Sequence, residues 1–298
     1  MPSFSDYIQG LPWLGFGVGL KDTYCDAIVS HAQTADCTEQ IDWLEIIPEN
    51  YMNKGGYSLD VLNTLIKADF PMSSHGVNLS LGSTDPLNTD YVSSLKELFN
   101  TVQPVWFSDH LSFSSVNGHY LNDLMPLPFS QEAVDHCVTK ICQVQQEFEA
   151  PFIIENISYY AEFKDAGGMN EAEFLTQILE KSDCGLLLDI NNVYVNSRNH
   201  GYDPIGFLQS IPLERVVEIH IAGHLVGDEL IIDTHGEPVC DDVFELFRWV
   251  YPRCNNIKAI LLERDTNLPP FNELMAELKA VRMTALSSSL KPMGALAA

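Results

Sequence analysis

The residues of this chain that could do chemistry are histidines, carboxylates and an asparagine, which sit at or just after the ends of short apolar runs. The runs include VWFSDH, PFIIEN, GLLLDINN, VVEIH and AILLE, and each stops abruptly on His, Asp, Glu or Asn. A buried strand gains nothing from a charge at its end unless that end opens on a site. Imidazole nitrogens and carboxylate oxygens bind transition-metal ions, so the pattern predicts a metal centre with more than one ion. The candidate ligands are His75, His110, Glu155, Asp189, Asn192, His220, Asp233, His235 and Glu263.

The spacing of these residues is informative at three places. Asp233 and His235 are two apart, so in an extended segment both side chains point to one face and can hold one ion. Asp189 and Asn192 leave the sixth strand three residues apart, which lets them serve neighbouring ions. Glu155 ends the fifth strand, where the two oxygens of a carboxylate can bridge two metals. A set without cysteine suits zinc, iron, manganese or cobalt and argues against structural zinc and iron–sulfur clusters.

Other polar residues stand beside the candidate ligands. A single strand-end histidine or aspartate is more often a hydrogen-bonded cap than a ligand, so the joint pattern carries the prediction. Asp109, Asn156 and His224 are our candidates for catalytic residues, either by orienting a ligand or by transferring protons. Glu45 and Glu49, at the end of the second strand, are expected to line the mouth of the site.

The elements that must position these residues alternate from end to end. Eight strand-like runs are each followed by a helix-like stretch, without a break in composition. That pattern predicts an α/β fold, a (β/α)8 TIM barrel, in which the carboxyl ends of all strands converge on one mouth. We expect one barrel domain over residues 1–283. The stretch 284–298, TALSSSLKPMGALAA, is small and aperiodic and is expected to be a disordered tail.

The composition limits the class of partner and the compartment. The 298 residues carry 16 basic and 41 acidic side chains, a net charge of −25. Such a chain repels phosphate backbones and anionic membranes, so we expect neither nucleic acid nor membrane as a partner. No apolar run approaches the roughly 20 residues of a membrane span. The N-terminal residues have no basic and apolar signal regions, and the seven cysteines form no C-x-x-C pair, so a reduced cytoplasm is expected.

Several motifs together resemble one known family. GLKDTY, DWLEIIPENYMNKGG, SSHGVNLSLGS, FSDHLSFS, IIENISYY, LLLDINNVYVNSRNHG, EIHIAGH and IDTHGEPV are similar to the multinuclear non-haem iron-dependent oxidative enzymes, which include the methanobactin and bufferin oxidases. The resemblance implies a barrel of the xylose-isomerase-like kind with two or three iron ions, Fe(II) or Fe(III), and O2 as co-substrate. It also implies an oxidoreductase that modifies residues, usually cysteine, of a ribosomally made precursor peptide. A small partner protein that presents the peptide is implied as well.

The order of the ligands also resembles endonuclease IV, a barrel with three zinc ions. Transferred by position, that resemblance assigns three ligand groups: His75, His110 and Glu155; then Glu155, Asp189, His220 and Glu263; then Asn192, Asp233 and His235. Position 192 is histidine in the nuclease, and a neutral amide is a weaker ligand. A second hypothesis is therefore a zinc- or manganese-dependent hydrolase or isomerase, although the negative charge argues against DNA as its substrate.

Overall fold

The structure is a computed structural model that describes residues 3–32, 40–52, 55–163 and 168–289. Within those ranges the strands are β1 (Gly15–Gly19), β2 (Trp43–Ile46), β3 (Met72–Gly76), β4 (Phe107–His110), β5 (Phe113–Val116), β6 (His119–Met125), β7 (Phe152–Glu155), β8 (Gly185–Asp189), β9 (Val216–Ile221), β10 (Leu225–Val226), β11 (Ile231–Ile232) and β12 (Ala259–Leu262). The helices are α1 (Phe4–Gly10), α2 (Cys25–Ala32), α3 (Tyr57–Lys67), α4 (Thr89–Val102), α5 (Gln131–Glu147), α6 (Glu171–Ser182), α7 (Ile190–His200), α8 (Pro204–Ser210), α9 (Asp241–Val250) and α10 (Phe271–Ser289). Short 3-10 turns lie at Asp22–Tyr24, Pro48–Asn50, Leu213–Arg215 and Tyr251–Arg253.

Eight of the strands close into a barrel in the order β1-β12-β9-β8-β7-β4-β3-β2. Every neighbouring pair whose register is resolved is parallel, and the helices that follow the strands pack outside them. The predicted (β/α)8 barrel is therefore confirmed. Parallel strands point the same way, so all their carboxyl ends lie at one mouth of the barrel.

Two boundaries differ from those expected. The apolar run after Asp189 is helical rather than extended, because the Asp189 carboxylate accepts the backbone N–H of Asn192 and caps α7 at its first turn. At the other end, α10 continues through residues 284–289, where a disordered tail was expected. Leu274, Leu278, Val281 and Ala285 repeat at helical spacing and are all buried, so packing extends the helix. Residues 290–298 lie outside the described ranges.

The interior of the barrel is filled in layers. Trp43, Trp106, Ile153, Leu187 and Leu261 fill the amino-terminal end, and Phe4 and Ile8 of α1 close it from below. Gly17 is required there, because a Cβ at this position would lie 2.5 Å from the Trp43 ring. Side chains alternate along a strand, so the residues two positions further on also point inward and form the next layer.

Two hairpins rise from the loops at the carboxyl mouth. β5 and β6 pair antiparallel through a turn at Asn117 and Gly118, both of which have positive φ, as a tight hairpin turn requires. β10 and β11 form a second, shorter hairpin. Neither hairpin was predicted from the sequence, and residues of both regions provide walls for the mouth.

Candidate metal centre

The predicted ligands meet in the uppermost layer of the barrel interior. They are placed by the ends of β3, β4, β7, β8, β9 and β12, by the first turn of α7 and by the segment after β11. A chamber of about 270 Å³ opens there on the mouth. Its walls include His75, His110, Glu155, Asn192, Asp233, His235 and Glu263. Asp189 and His220 lie just behind the wall, fully buried, so all nine predicted ligands are brought together.

The first group of ligand atoms comes from β3, β4 and β7. The Nε2 atoms of His75 and His110 are 3.2 Å apart, and Glu155 Oε2 lies 3.1 Å from the first and 2.9 Å from the second. Ligands held about 2.1 Å from one metal ion are separated by roughly 3.0 Å at adjacent octahedral positions and roughly 3.4 Å in a tetrahedron. The three atoms therefore have the spacing of ligands around a single cation.

A second group shares Glu155 with the first. It combines Glu155 with Asp189, His220 and Glu263, whose ligand atoms lie within 4.8 Å of one another. His220 Nδ1 is 2.9 Å from Glu263 Oε2 and 3.8 Å from Glu155 Oε1. Each oxygen of Glu155 thus faces a different group, which is the arrangement that a bridging carboxylate needs.

The third group is supplied by α7 and by the segment after β11. His235 Nε2 is 2.6 Å from Asp233 Oδ1 and 3.9 Å from Asp189 Oδ2. The Asn192 side chain comes from α7, and its Nδ2 donates to the carbonyl oxygen of Asn156 at 3.0 Å. This bond turns Asn192 Oδ1 away from the backbone, so the oxygen is the atom left for a ligand.

Buried atoms without a hydrogen-bond partner mark the same place. Among the described residues these include Glu155 Oε2, Asp189 Oδ2, Asn192 Oδ1 and His235 Nε2, which come from all three groups. The two imidazole nitrogens near Glu155 Oε2 approach it at ion-pair distance but not in hydrogen-bonding geometry. Unsatisfied buried polar atoms are costly, and a shared cation would satisfy these. The donor set fits metal ions.

When no cation is present, only bound protons offset the negative charges of the carboxylates in this site. Burial disfavours a charged His75 ring, but Glu155 outweighs burial and raises the pKa of His75 to about 10. Burial would likewise raise the pKa of Glu263, but His235 and His220 hold it well below its usual value. Burial, reinforced by neighbouring carboxylates, raises the pKa of Asp189 well above its usual value. Metal ions could replace the protons that this cluster retains.

Hydrogen bonds behind the histidines point the rings toward the chamber. His110 Nδ1 lies 3.1 Å from the carbonyl oxygen of Gly76, which can only accept, so this nitrogen carries the proton. Its Nε2 is then free to bind a metal. The Nδ1 atom of His75 is held at 2.8 Å by the hydroxyl of Ser108. Such outer contacts fix the orientation of ligating imidazoles.

The three predicted catalytic residues stand behind the ligands rather than in the chamber. Asp109 is buried and accepts the backbone N–H of Leu79, and burial raises its pKa to about 6. The Asn156 amide both donates to and accepts from the backbone of Asp189, so it clamps β7 to β8. His224 donates to Asn191 at 2.8 Å. These contacts favour positioning of the ligands, and a role in proton transfer stays a prediction.

Two buried glutamates inside the barrel were not predicted as part of the centre. Glu45 and Glu218 each approach His220 Nε2 at 3.3 Å, opposite the nitrogen that faces the chamber. Trp106 Nε1 also donates to Glu218 at 2.7 Å. Glu45 therefore does not line the mouth as expected. The available signal was the position of each glutamate within an apolar strand, in WLEI and VVEIHI, where its side chain points inward.

A second missed pair lies at the rim. Asp265 accepts from His235 Nδ1 at 3.0 Å and binds the ammonium group of Lys21 at 2.5 Å. This chain of contacts fixes the His235 ring so that Nε2 faces Asp233. No sequence pattern linked residues so far apart.

A larger cavity lies elsewhere in the described part of the chain. It measures about 710 Å³ and is bounded by α6 and α8, with Phe129, Tyr202 and Glu171 among its walls. None of the described clusters of possible ligands lies in it. None of the six described cysteines, all free thiols, belongs to those clusters either. The positions of the ligand atoms, rather than the size of a cavity, therefore identify the site.

No described helix combines the length and apolarity of a membrane-spanning segment.

Solved structures with a similar backbone are barrels of the same kind. Endonuclease IV from Thermus thermophilus superposes with a TM-score of 0.57 at 16% identity, covering 93% of this chain and 99% of that chain. A xylose isomerase domain protein from Alicyclobacillus acidocaldarius gives a TM-score of 0.54 at 13% identity, covering 92% and 98%. At such low identity these similarities establish the fold alone, which is the xylose-isomerase-like TIM barrel.

Sequence relatives are much closer. A UPF0276 protein of Acaryochloris marina is 43% identical over 263 residues, which is 88% of this chain and 92% of the relative. Another, from Caulobacter vibrioides, is 39% identical over 271 residues, 91% and 94% of the two chains. Residues 15–285 match the family model described as RiPP precursor modification enzyme MbnB/TglH/ChrH, where RiPP denotes a ribosomally made and then modified peptide. The chain belongs to this family of RiPP precursor modification enzymes.

Proposed function

We propose that this protein is a cytoplasmic, iron-dependent oxidase that uses O2 to modify residues, above all cysteine, of a ribosomally made precursor peptide. The observation that carries the proposal is the sharing of Glu155 between two groups of imidazole and carboxylate atoms. A carboxylate-bridged, thiolate-free ligand set suits iron, and membership in a family of precursor-modifying enzymes supports a peptide substrate. The proposal also includes two or three bound iron ions and a small partner protein that presents the peptide.

Bound iron would supply a Lewis-acidic centre for a substrate thiolate and a redox couple for O2. His75, His110 and Glu155 would hold the first ion, and Glu155, Asp189, His220 and Glu263 the second. Asp233, His235 and Asn192 would hold a third, with a neutral amide as the weakest ligand. Because its neutral amide is a weak ligand, this site is the one most able to leave coordination positions for substrate.

Residues of the chain would prepare the site without contacting substrate. Ser108 and the carbonyl of Gly76 hold the first two imidazoles in place. Asn191 donates to Asp233 at 2.7 Å and so orients that carboxylate. The chamber of about 270 Å³ is small, which suits a reaction on a single bound side chain.

The test is reconstitution of the protein with Fe(II) under anaerobic conditions, followed by O2 and a Cys-containing peptide encoded beside its gene. We expect a change in the mass of the peptide that requires both iron and O2. The matched controls are the same peptide with serine in place of cysteine, and protein loaded with zinc. A mass change that occurs equally with zinc and without O2 would instead support the metal-dependent hydrolase.

A further inference from the structure

The β5–β6 hairpin stands beside the metal chamber and offers an unused strand. Among the described residues β6 pairs only with β5, and its residues His119 to Asp123 are exposed. The opposite edge of β5 is already occupied, since the Ser80 hydroxyl accepts the backbone N–H groups of Ser114 and Ser115. One edge of this small sheet is therefore available for another strand at His119 and Tyr120, and beyond them β6 bulges at Asn122, whose φ is positive.

The hairpin is held rigidly in place. The Asp85 carboxylate accepts the backbone N–H groups of Asn117 and Gly118 at 3.0 and 2.8 Å, which pins the turn. Asn88 donates to the hydroxyl of Tyr120 at 3.3 Å, further along β6. A strand that is fixed before binding loses little conformational entropy when a peptide pairs with it.

A groove leads from this hairpin into the chamber. It measures about 480 Å³ and is lined by Asn78, Tyr120 and Asn122, among others. The groove and the metal chamber share Val77, Asp123 and Leu124 as walls. An extended segment that follows β6 would thus reach the ligands directly.

The junction between groove and chamber is acidic. The Asp123 side chain is exposed, and the contact found for its carboxylate is with the N–H of the next residue at 2.9 Å. Lys21, beside the chamber, is already paired with Asp265. A basic segment would therefore be favoured along this path and an acidic one disfavoured.

We propose that the β5–β6 hairpin guides the precursor peptide into the metal chamber as an extended strand, with a basic residue of the peptide placed at Asp123. The recognised chemistry is a peptide that carries lysine or arginine close to the modified residue. This inference rests on the proposed function, since it takes a precursor peptide as the occupant.

The first test measures binding without turnover, using the full-length metal-loaded protein. The probes are a fluorescein-labelled peptide acetyl-KVKVSVKVK-amide and its counterpart with glutamate for every lysine. Serine at the centre removes thiolate binding to metal, so the anisotropy reports contacts with the protein surface. We expect the basic probe to bind more tightly, and its advantage to shrink at high salt.

Variants at the junction make the test specific. Asp123→Asn should weaken binding of the basic probe about threefold, the size expected of one exposed ion pair. Asp123→Lys should shift the preference toward the acidic probe, whereas Glu97→Gln on the exposed side of α4 should change nothing. Hydrogen exchange should show protection of residues 119–125 by the basic probe. Unchanged binding of both probes to Asp123→Lys, or protection confined to other segments, would overturn the inference.

Failure of the hairpin inference can be distinguished from failure of the proposed oxidase function. If the natural neighbouring peptide is modified equally well by wild type and by Asp123→Lys, the hairpin inference fails while the oxidase function stands. If no neighbouring peptide is modified, but the basic probe protects β6 and responds to Asp123, the oxidase function fails and the hairpin remains a peptide-binding surface.

Discussion

Glutamine in place of Glu155 is the most informative single substitution in this protein. The side chain is buried, and its two oxygens face different ligand groups, so one change affects both. Glutamine has nearly the same shape, but it offers one neutral oxygen and cannot bridge two cations. We expect Glu155→Gln to lose metal from both groups while keeping the barrel folded.

The size of the effect follows from linkage. A metal present at 100 times its dissociation constant stabilises the folded state by about 2.7 kcal/mol for each site, or about 5.4 kcal/mol for two sites. With about 2.1 cal/mol/K of unfolding entropy per residue, 298 residues give roughly 0.6 kcal/mol/K. Two filled sites should therefore raise Tm by about 9 °C and one site by about 4 °C, by the same linkage.

The assay is thermal unfolding with and without Fe(II) under anaerobic conditions, together with elemental analysis of the same samples. Wild type and Glu97→Gln, which removes an exposed charge from α4, should both show the full rise in Tm. For Glu155→Gln we expect a rise below the one-site value and a matching loss of bound iron. A variant that keeps the full rise and the full metal content would refute a bridging role for Glu155.

Three further changes test other parts of the site. Asn192→Ala should remove one ligand of the third group alone, so elemental analysis should find fewer ions per chain while the two sites that share Glu155 stay filled. Burial raises the pKa of Glu171 to about 7. The folded state therefore holds this proton more tightly than the unfolded chain does. The resulting stabilisation of the folded state, up to about 3 kcal/mol, is present below pH 4.5 and is lost as the pH rises through 7. Unfolding at pH 5 and pH 8 should show a smaller loss of stability in Glu171→Gln than in wild type, because Asp109 and Glu218, whose pKa values burial raises to about 6 and about 7, still lose protons in both proteins. Gly223→Ala would place a Cβ 2.0 Å from the carbonyl oxygen of Glu237, so it should cost about 1–3 kcal/mol of stability and lower metal content, whereas Gly10→Ala, with nothing within 4 Å, should do neither.

The parts of the fold that could be predicted from sequence are those governed by local periodicity. Eight apolar runs separated by helical stretches predicted eight parallel strands. A polar residue directly at the end of a run predicted that its side chain lies at the mouth of the barrel. The helix after Asp189 was misread because INNVYV is rich in β-branched residues. The Asp189 carboxylate accepts the Asn192 N–H and caps this helix, and an aspartate before such a segment is a recognised start signal that competes with the β-branched pattern.

The parts of the site that could not be predicted depend on contacts between distant strands. Asp85 and the turn at Asn117 are joined through backbone N–H groups, which carry no signature in the side chains. Lys21 and Asp265 meet only because β1 and β12 are neighbours where the barrel closes. Such pairs become visible once the order of strands around the barrel is known.

The glutamates behind His220 give an independent reason to expect a cation in this barrel. Glu45 and Glu218 face one ring nitrogen, and Glu263 faces the other at 2.9 Å. A neutral imidazole has only one N–H, so it cannot donate to carboxylates on both sides. Without metal, either the ring or a facing carboxylate must hold a further proton: the carboxylates on both sides raise the pKa of the ring well above its usual value although burial opposes the charge, and burial raises the pKa of Glu218 to about 7. A cation on the chamber side would let Nδ1 act as a ligand while Nε2 keeps its proton for one of the glutamates, so the ring could stay neutral.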